Sequence, residues 1–133
     1  MARAWLLLNS VLYLVLGAWC ALDPATTSRF VGLEPTGPAG HTEWMAVYGG
    51  LELGLCAFFA WAALRPALQQ AGLLFGLCLY GGIVLLRSVA AVQVSLAYDL
   101  FAMGPALGMW LLEVLLLGSG LLAWRRLPAR GSP

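Results

Sequence analysis

Residues 44–64 read WMAVYGGLELGLCAFFAWAAL, with a single charge, Glu52, in the whole stretch. A run of about 20 apolar residues matches the thickness of a bilayer's hydrocarbon core. It is too long and too uniformly apolar for an ordinary half-exposed helix of a soluble domain. Three more runs of this kind, at 5–22, 71–92 and 105–124, take up most of the remaining chain. In hydrocarbon every backbone polar group must be satisfied internally, which leaves helices or a closed barrel. Alternating strands of about ten residues, which a barrel needs, are absent. The sequence therefore predicts an all-α integral membrane four-helix bundle, up-down-up-down, formed by residues 1–124 as one domain.

Composition narrows the functional classes. The chain is 62% hydrophobic and 10% charged, contains no lysine, and carries a net charge of +1. Nothing in that balance suggests a nucleic-acid partner; the expected partner is the lipid bilayer. Cys20, Cys56 and Cys78 all fall inside apolar runs and form no CxxC pair, so they read as small packing residues. The first run has the polarity of a signal peptide, but Trp19 beside Cys20 fits neither a small-residue cleavage site nor a lipoprotein site. It is expected to remain as a span.

Arginine placement sets the expected orientation. With four spans, Arg3, Arg65, Arg125, Arg126 and Arg130 lie on one side and only Arg29 on the other. Asp23, Glu34, Glu43 and Asp99 lie opposite the arginines. Positive residues concentrate on the cytoplasmic side, so both termini are expected in the cytoplasm of a bacterial inner-membrane protein. Trp5, Trp61 and Trp124 then form an inner aromatic belt and Trp19 and Trp44 an outer one, with Trp110 deeper. Residues 23–43, rich in proline and glycine, read as an external loop. Residues 125–133 read as a cytoplasmic tail. Asp23-Pro24 and Arg65-Pro66 mark helix ends, and Pro105 suits a first helical turn.

Charges inside the apolar runs are the candidate site. Glu52, Arg87 and Glu113 stand on three different spans, and a charge at that depth costs ~3 kcal/mol or more unless it meets a partner or water. At a rise of ~1.5 Å per residue, Glu52 and Glu113 lie roughly 12 Å below the outer ends of their spans and Arg87 about 8–9 Å. Three charged groups at one level are expected to meet. On an α-helical period Tyr48, Glu52 and Cys56 share one face, and Tyr80 shares a face with Arg87. Asn9 and Tyr13 are the secondary polar positions on the first span, with Glu43 and Asp99 at the outer ends. Two carboxylates against one guanidinium do not balance, so one acid must hold a proton, be hydrated or await a cation.

Small residues recur every four positions at Ala46, Gly50 and Gly54, at Gly72 and Gly76, and at Gly104 and Gly108. Such spacing lets helices approach closely in lipid. Gly50, Gly54, Gly72 and Gly76 are thus expected either inside the bundle or at a seam with a second copy or another membrane protein. His41 with Glu34 and Glu43 lacks the spacing of a metal site, and no nucleophile–base pair or phosphate loop is present. No catalytic residue, metal or cofactor is expected.

EWMAVYGGLELGL at 43–55, then Arg65-Pro66, LLRSV at 85–89, Asp99, Pro105 and Glu113, resemble a bacterial group of small four-span proteins, domain-of-unknown-function family 4345. The resemblance runs from the first span through the fourth, and the YGG-containing stretch is its most specific part. That family often places an arginine two residues after the glutamate that precedes YGG; here Met45 holds that position. The resemblance implies the four-span fold and no defined activity. A looser likeness to DoxX-like bundles is one of fold alone. Three functions remain open on these grounds. The first is a binding or carrier protein for a small polar or amphipathic ligand, with Arg87 meeting an anionic group and Glu52 or Glu113 a proton or cation. The second is a structural or accessory subunit whose charges only lock the bundle. The third, a lipid-acting enzyme, has least in its favour.

Overall fold

The structure is a computed structural model and describes residues 1–95 and 104–127. All regular structure in these residues is helical. The elements are α1 (Ala2–Leu22), α2 (Pro24–Phe30), α3 (Gly37–Trp44), a π-helical segment (Met45–Leu51), α4 (Glu52–Leu64), a 3-10 turn (Pro66–Leu68), α5 (Gln69–Ser95) and α6 (Gly104–Arg125). Helix α3, the π segment and α4 are consecutive, giving one helical run over Gly37–Leu64. Four helices are thus long and apolar enough to cross a membrane: Ala2–Leu22, Gly37–Leu64, Pro66–Val94 and Gly104–Arg125.

Residues 23–43 differ from the expected loop: they are largely helical. Asp23 leaves the helical region (φ −136°, ψ 67°) and its carboxylate caps α2, accepting from Thr26 N at 3.2 Å, with Pro24 at the start of the helix. Gly32 closes α2 with φ +74°. Leu33 N donates to Ser28 O at 2.9 Å and Gly32 N to Arg29 O at 3.0 Å, the paired bonds of a left-handed glycine cap. The polar, breaker-rich composition that reads as loop is here the capping chemistry of short helices.

Two close helix pairs make up the bundle. Across the first, Trp5 meets Phe59, Ser10 meets Cys56 and Gly17 meets Gly49, so numbers rise on α1 as they fall on its neighbour. Across the second, Leu77 meets Gly120, Arg87 meets Glu113 and Ser88 meets Trp110, with the same opposition. Helix α1 joins the two pairs. Its Trp5 is buried rather than part of a surface belt. The indole packs edge-on to Phe59 and to Tyr80, at centroid distances of 6.0 and 6.1 Å. Its Nε1 donates to Leu116 O and Ser119 Oγ, each at 3.1 Å. Trp44, expected at the outer belt, is also buried, stacked on Tyr48 at 4.1 Å with Nε1 3.4 Å from Cys20 O. Burial of each indole is possible because its one donor finds a carbonyl.

Outward faces are apolar. Leu85, Leu86 and Leu115 are 63–70% exposed, among many other large aliphatic side chains on the long helices. A soluble monomer rarely carries so continuous an apolar surface.

Candidate functional site

Small residues decide how close the helices come. A Cβ on Gly17 would lie 2.9 Å from Glu52 Cβ and 3.2 Å from Gly49 O, so α1 touches the backbone just ahead of Glu52. On α5, a Cβ at Gly72 would lie 2.8 Å from Ala62 Cβ, and one at Gly76 only 2.4 Å from the Trp5 ring. Gly72 and Gly76 are therefore used up inside the bundle. Among the described residues nothing lies within 4 Å of a Cβ built on Gly54, Gly104 or Gly108, and only Met45 O, at 3.7 Å, lies near one built on Gly50. Four-residue spacing does not separate these groups, and Gly17, Gly49 and Gly120, which also make close contacts, lie outside the stripes.

Arg87 and Glu113 meet in the second helix pair. Nε donates to Oε2 and Nη2 to Oε1, both at 2.8 Å, a planar bidentate arrangement. The Glu113 side chain is 11% exposed and the Arg87 side chain 31%. Register puts all three charges at one level. Tyr80 on α5 bonds Asn9 on α1, and Arg87 stands seven residues, about 10 Å, farther along. That is the level of Gly17, which abuts Glu52.

Glu52 nevertheless takes no part in the ion pair. Its Oε2 is buried and has no hydrogen-bond partner among the described residues. The guanidinium satisfies Glu113 instead. Tyr80 donates to Asn9 Oδ1, and Asn9, which is wholly buried, donates from Nδ2 to Trp5 O at 2.8 Å. Tyr13 stacks on Phe59 at 5.7 Å. Asn9 and Tyr80 thus form a polar core beside the charged level.

Cys56, one α-helical turn after Glu52, faces α1 as Glu52 does: its Sγ lies 3.5 Å from Ser10 Oγ, and Gly17 abuts the Glu52 Cβ. Ser10 Oγ also donates to the Cys56 carbonyl at 3.0 Å. Residues 45–51 form a π-helix, whose i→i+5 bonding turns less per residue than an α-helix. Tyr48 stacks on Trp44, four residues before it. Glu43 lies exposed near the start of the Gly37–Leu64 helical run, and Asp99 lies outside the described residues. Sequence reasoning missed Ser10, Ser88 and Ser119. Ser88 accepts from Trp110 Nε1 at 3.0 Å and itself donates to Val84 O at 2.7 Å. Their signal was present: each is a hydroxyl within an apolar run, where a polar group needs a partner.

Two shallow grooves open at the loop end. One, about 370 Å³, is lined by residues including Arg29, His41, Ser28 and Glu34. The second, also about 370 Å³, is lined by residues including Leu33, Glu34, Glu43, Trp44, Val47 and Tyr48. Compared with protein-family models, with curated proteins and with solved structures, the chain finds no match in any of the three.

Proposed function

We propose that this chain is a multi-pass protein of a bacterial inner membrane that binds or carries a small ligand, with Glu52 as its exchange site. The observation that carries this reading is the buried Oε2 of Glu52, which has no partner among the described residues, while Arg87 is engaged by Glu113. A carboxyl held in that state exchanges a proton or takes a cation. The ion pair changes the expected ligand: a guanidinium with two donors committed to Glu113 is a poor receptor for an anion. The cargo class that fits is cationic or proton-coupled.

An up-down-up-down bundle with both termini cytoplasmic accommodates this site in the outer half of the membrane. Arg126 Nη1 lies 3.0 Å from Met1 Sδ, so the chain ends share one end of the bundle with Arg3. That end is the arginine-rich one. A periplasm-active reporter fused at the C-terminus should be silent; strong activity would reverse the orientation. The likeness of residues 43–55 to family 4345 agrees with this fold and adds no activity.

Native mass spectrometry of the protein in its own membrane, wild type against Glu52→Gln, tests the site. The expected result is a bound small cation, or an infrared carboxylic-acid band, that disappears in Glu52→Gln while the protein stays folded. Identical spectra for the two proteins would refute the exchange role. A structural or accessory subunit is the second reading, favoured by the outward, unfilled positions of Gly50 and Gly54.

A further inference from the structure

Helix α2 is turned inside out. Its buried side chains are Thr27 and Ser28, whose hydroxyls donate to the carbonyls of Asp23 at 2.8 Å and Ala25 at 3.4 Å. Its aromatic residue, Phe30, is 55% exposed, and Leu22, at the junction with α1, is 85% exposed. A short helix in water buries the opposite set. The arrangement is favourable where the surroundings of the exposed side chains are themselves apolar. Placement of the Phe30 ring agrees. Its centroid lies 6.0 Å from that of Trp19, three residues or about 4.5 Å before α1 ends at Leu22. After Asp23 breaks the helix, the chain thus returns an aromatic ring to the side of α1. Val11, Val15, Trp19 and Leu22 follow one another there at steps of three or four residues and are all exposed, forming one apolar stripe. Phe30 extends that stripe.

We infer that α2 is an interfacial helix, held in the bilayer surface by Trp19, Leu22 and Phe30, which meet the acyl-chain and glycerol region of outer-leaflet phospholipid. The inference rests on the reading of the long helices as membrane spans and on no role for Glu52. Aromatic rings favour that layer, where apolar and polar surroundings meet. Helix lengths fit the same level. The 21 residues of α1 rise about 32 Å, close to the ~30 Å of a hydrocarbon core, so α1 ends at Leu22 where the core ends. The 28-residue run Gly37–Leu64 rises roughly 40 Å, so its first turns project beyond the core into water. The cap therefore has two sides: α2 leans on the lipid beside α1, and the start of α3 stands clear of it.

Photocrosslinking of the full-length protein in phospholipid nanodiscs tests this. The photoreactive p-benzoylphenylalanine is placed singly at Leu22, Phe30, Leu86 or Thr36, and intact-protein mass spectrometry reads the adducts after irradiation. Leu86, 70% exposed on α5, reports whether the long helices lie in lipid. Thr36, the exposed residue that precedes α3, reports the water side. Addition of one phospholipid mass is expected at Leu22, Phe30 and Leu86, with none at Thr36. Lipid adducts at Leu86 with none at Leu22 or Phe30 would overturn the interfacial helix and leave the membrane reading standing. An adduct at Leu22 without one at Phe30 would confine lipid contact to the end of α1 and overturn the assignment for α2. No lipid adduct even at Leu86 would overturn both readings. Adducts at Thr36 equal to those at Phe30 would show a cap with no lipid-facing side, and crosslinks from Phe30 to a second copy in place of lipid would assign the face to contact between copies; each overturns the inference.

Discussion

Glu113 and Glu52 carry the same side chain at about the same level, in two halves of one bundle, and their surroundings differ completely. Glu113 is locked by both arms of a guanidinium across α5 and α6. Glu52 faces α1, where Gly17 brings a backbone against it and supplies no donor. Satisfied buried charges fix geometry, whereas unsatisfied ones are costly and persist where something else stabilises them. The contrast teaches that a charge within a long apolar helix is not by itself a functional signal; the decisive feature is whether its partner is already present.

Breaking the satisfied half should have the largest effect. Arg87→Ala leaves the Glu113 carboxylate buried and alone, with an expected loss of about 3–5 kcal/mol of stability. Partial exposure of Arg87 favours the lower end. Arg87→Lys should recover part of this, since the charge returns without the bidentate fork. Detergent-resistant melting temperature measures both, and an Arg87→Ala protein as stable as wild type would show that the clamp is dispensable.

Packing offers a second contrast. Gly76→Ala would drive a methyl into the Trp5 ring and should cost about 1–3 kcal/mol. Gly54→Ala meets nothing among the described residues and should be close to neutral in the monomer. If Gly54→Ala instead lowers stability only at concentrations where the protein self-associates, the outward small residues belong to a seam between copies.

The polar core between the halves is next. Tyr80→Phe removes the donor to Asn9 Oδ1 and leaves a fully buried amide oxygen unpaired, at a cost of about 1–3 kcal/mol. A Tyr80→Phe protein with unchanged melting would mean that water replaces the phenol there.

Smallest, and most informative, is Glu52→Gln. Removing an unpaired buried charge should leave the melting temperature unchanged or slightly higher. A marked fall in stability would reveal that Glu52 does neutralise Arg87, and would erase the difference between the two halves.

Run length and residue type alone determined the helical class, the number of long apolar helices, the breaks at Asp23-Pro24 and Arg65-Pro66, and the identity of the charged residues. These follow from local chemistry: the length of an apolar run and proline's steric demand act over a few residues. The helical content of 23–43 was less legible, because capping residues and loop residues are the same types. Tertiary structure decided which acid Arg87 takes, since matched depth is shared by both carboxylates and only helix rotation distinguishes them. It buried Trp44 and Trp5, indoles that position in the sequence alone assigns to surface belts. It also sorted identical glycine spacings into filled contacts at Gly72 and Gly76 and open ones at Gly54. Direction around a helix axis depends on what packs against it, and that information lies on other helices, dozens of residues away in the chain.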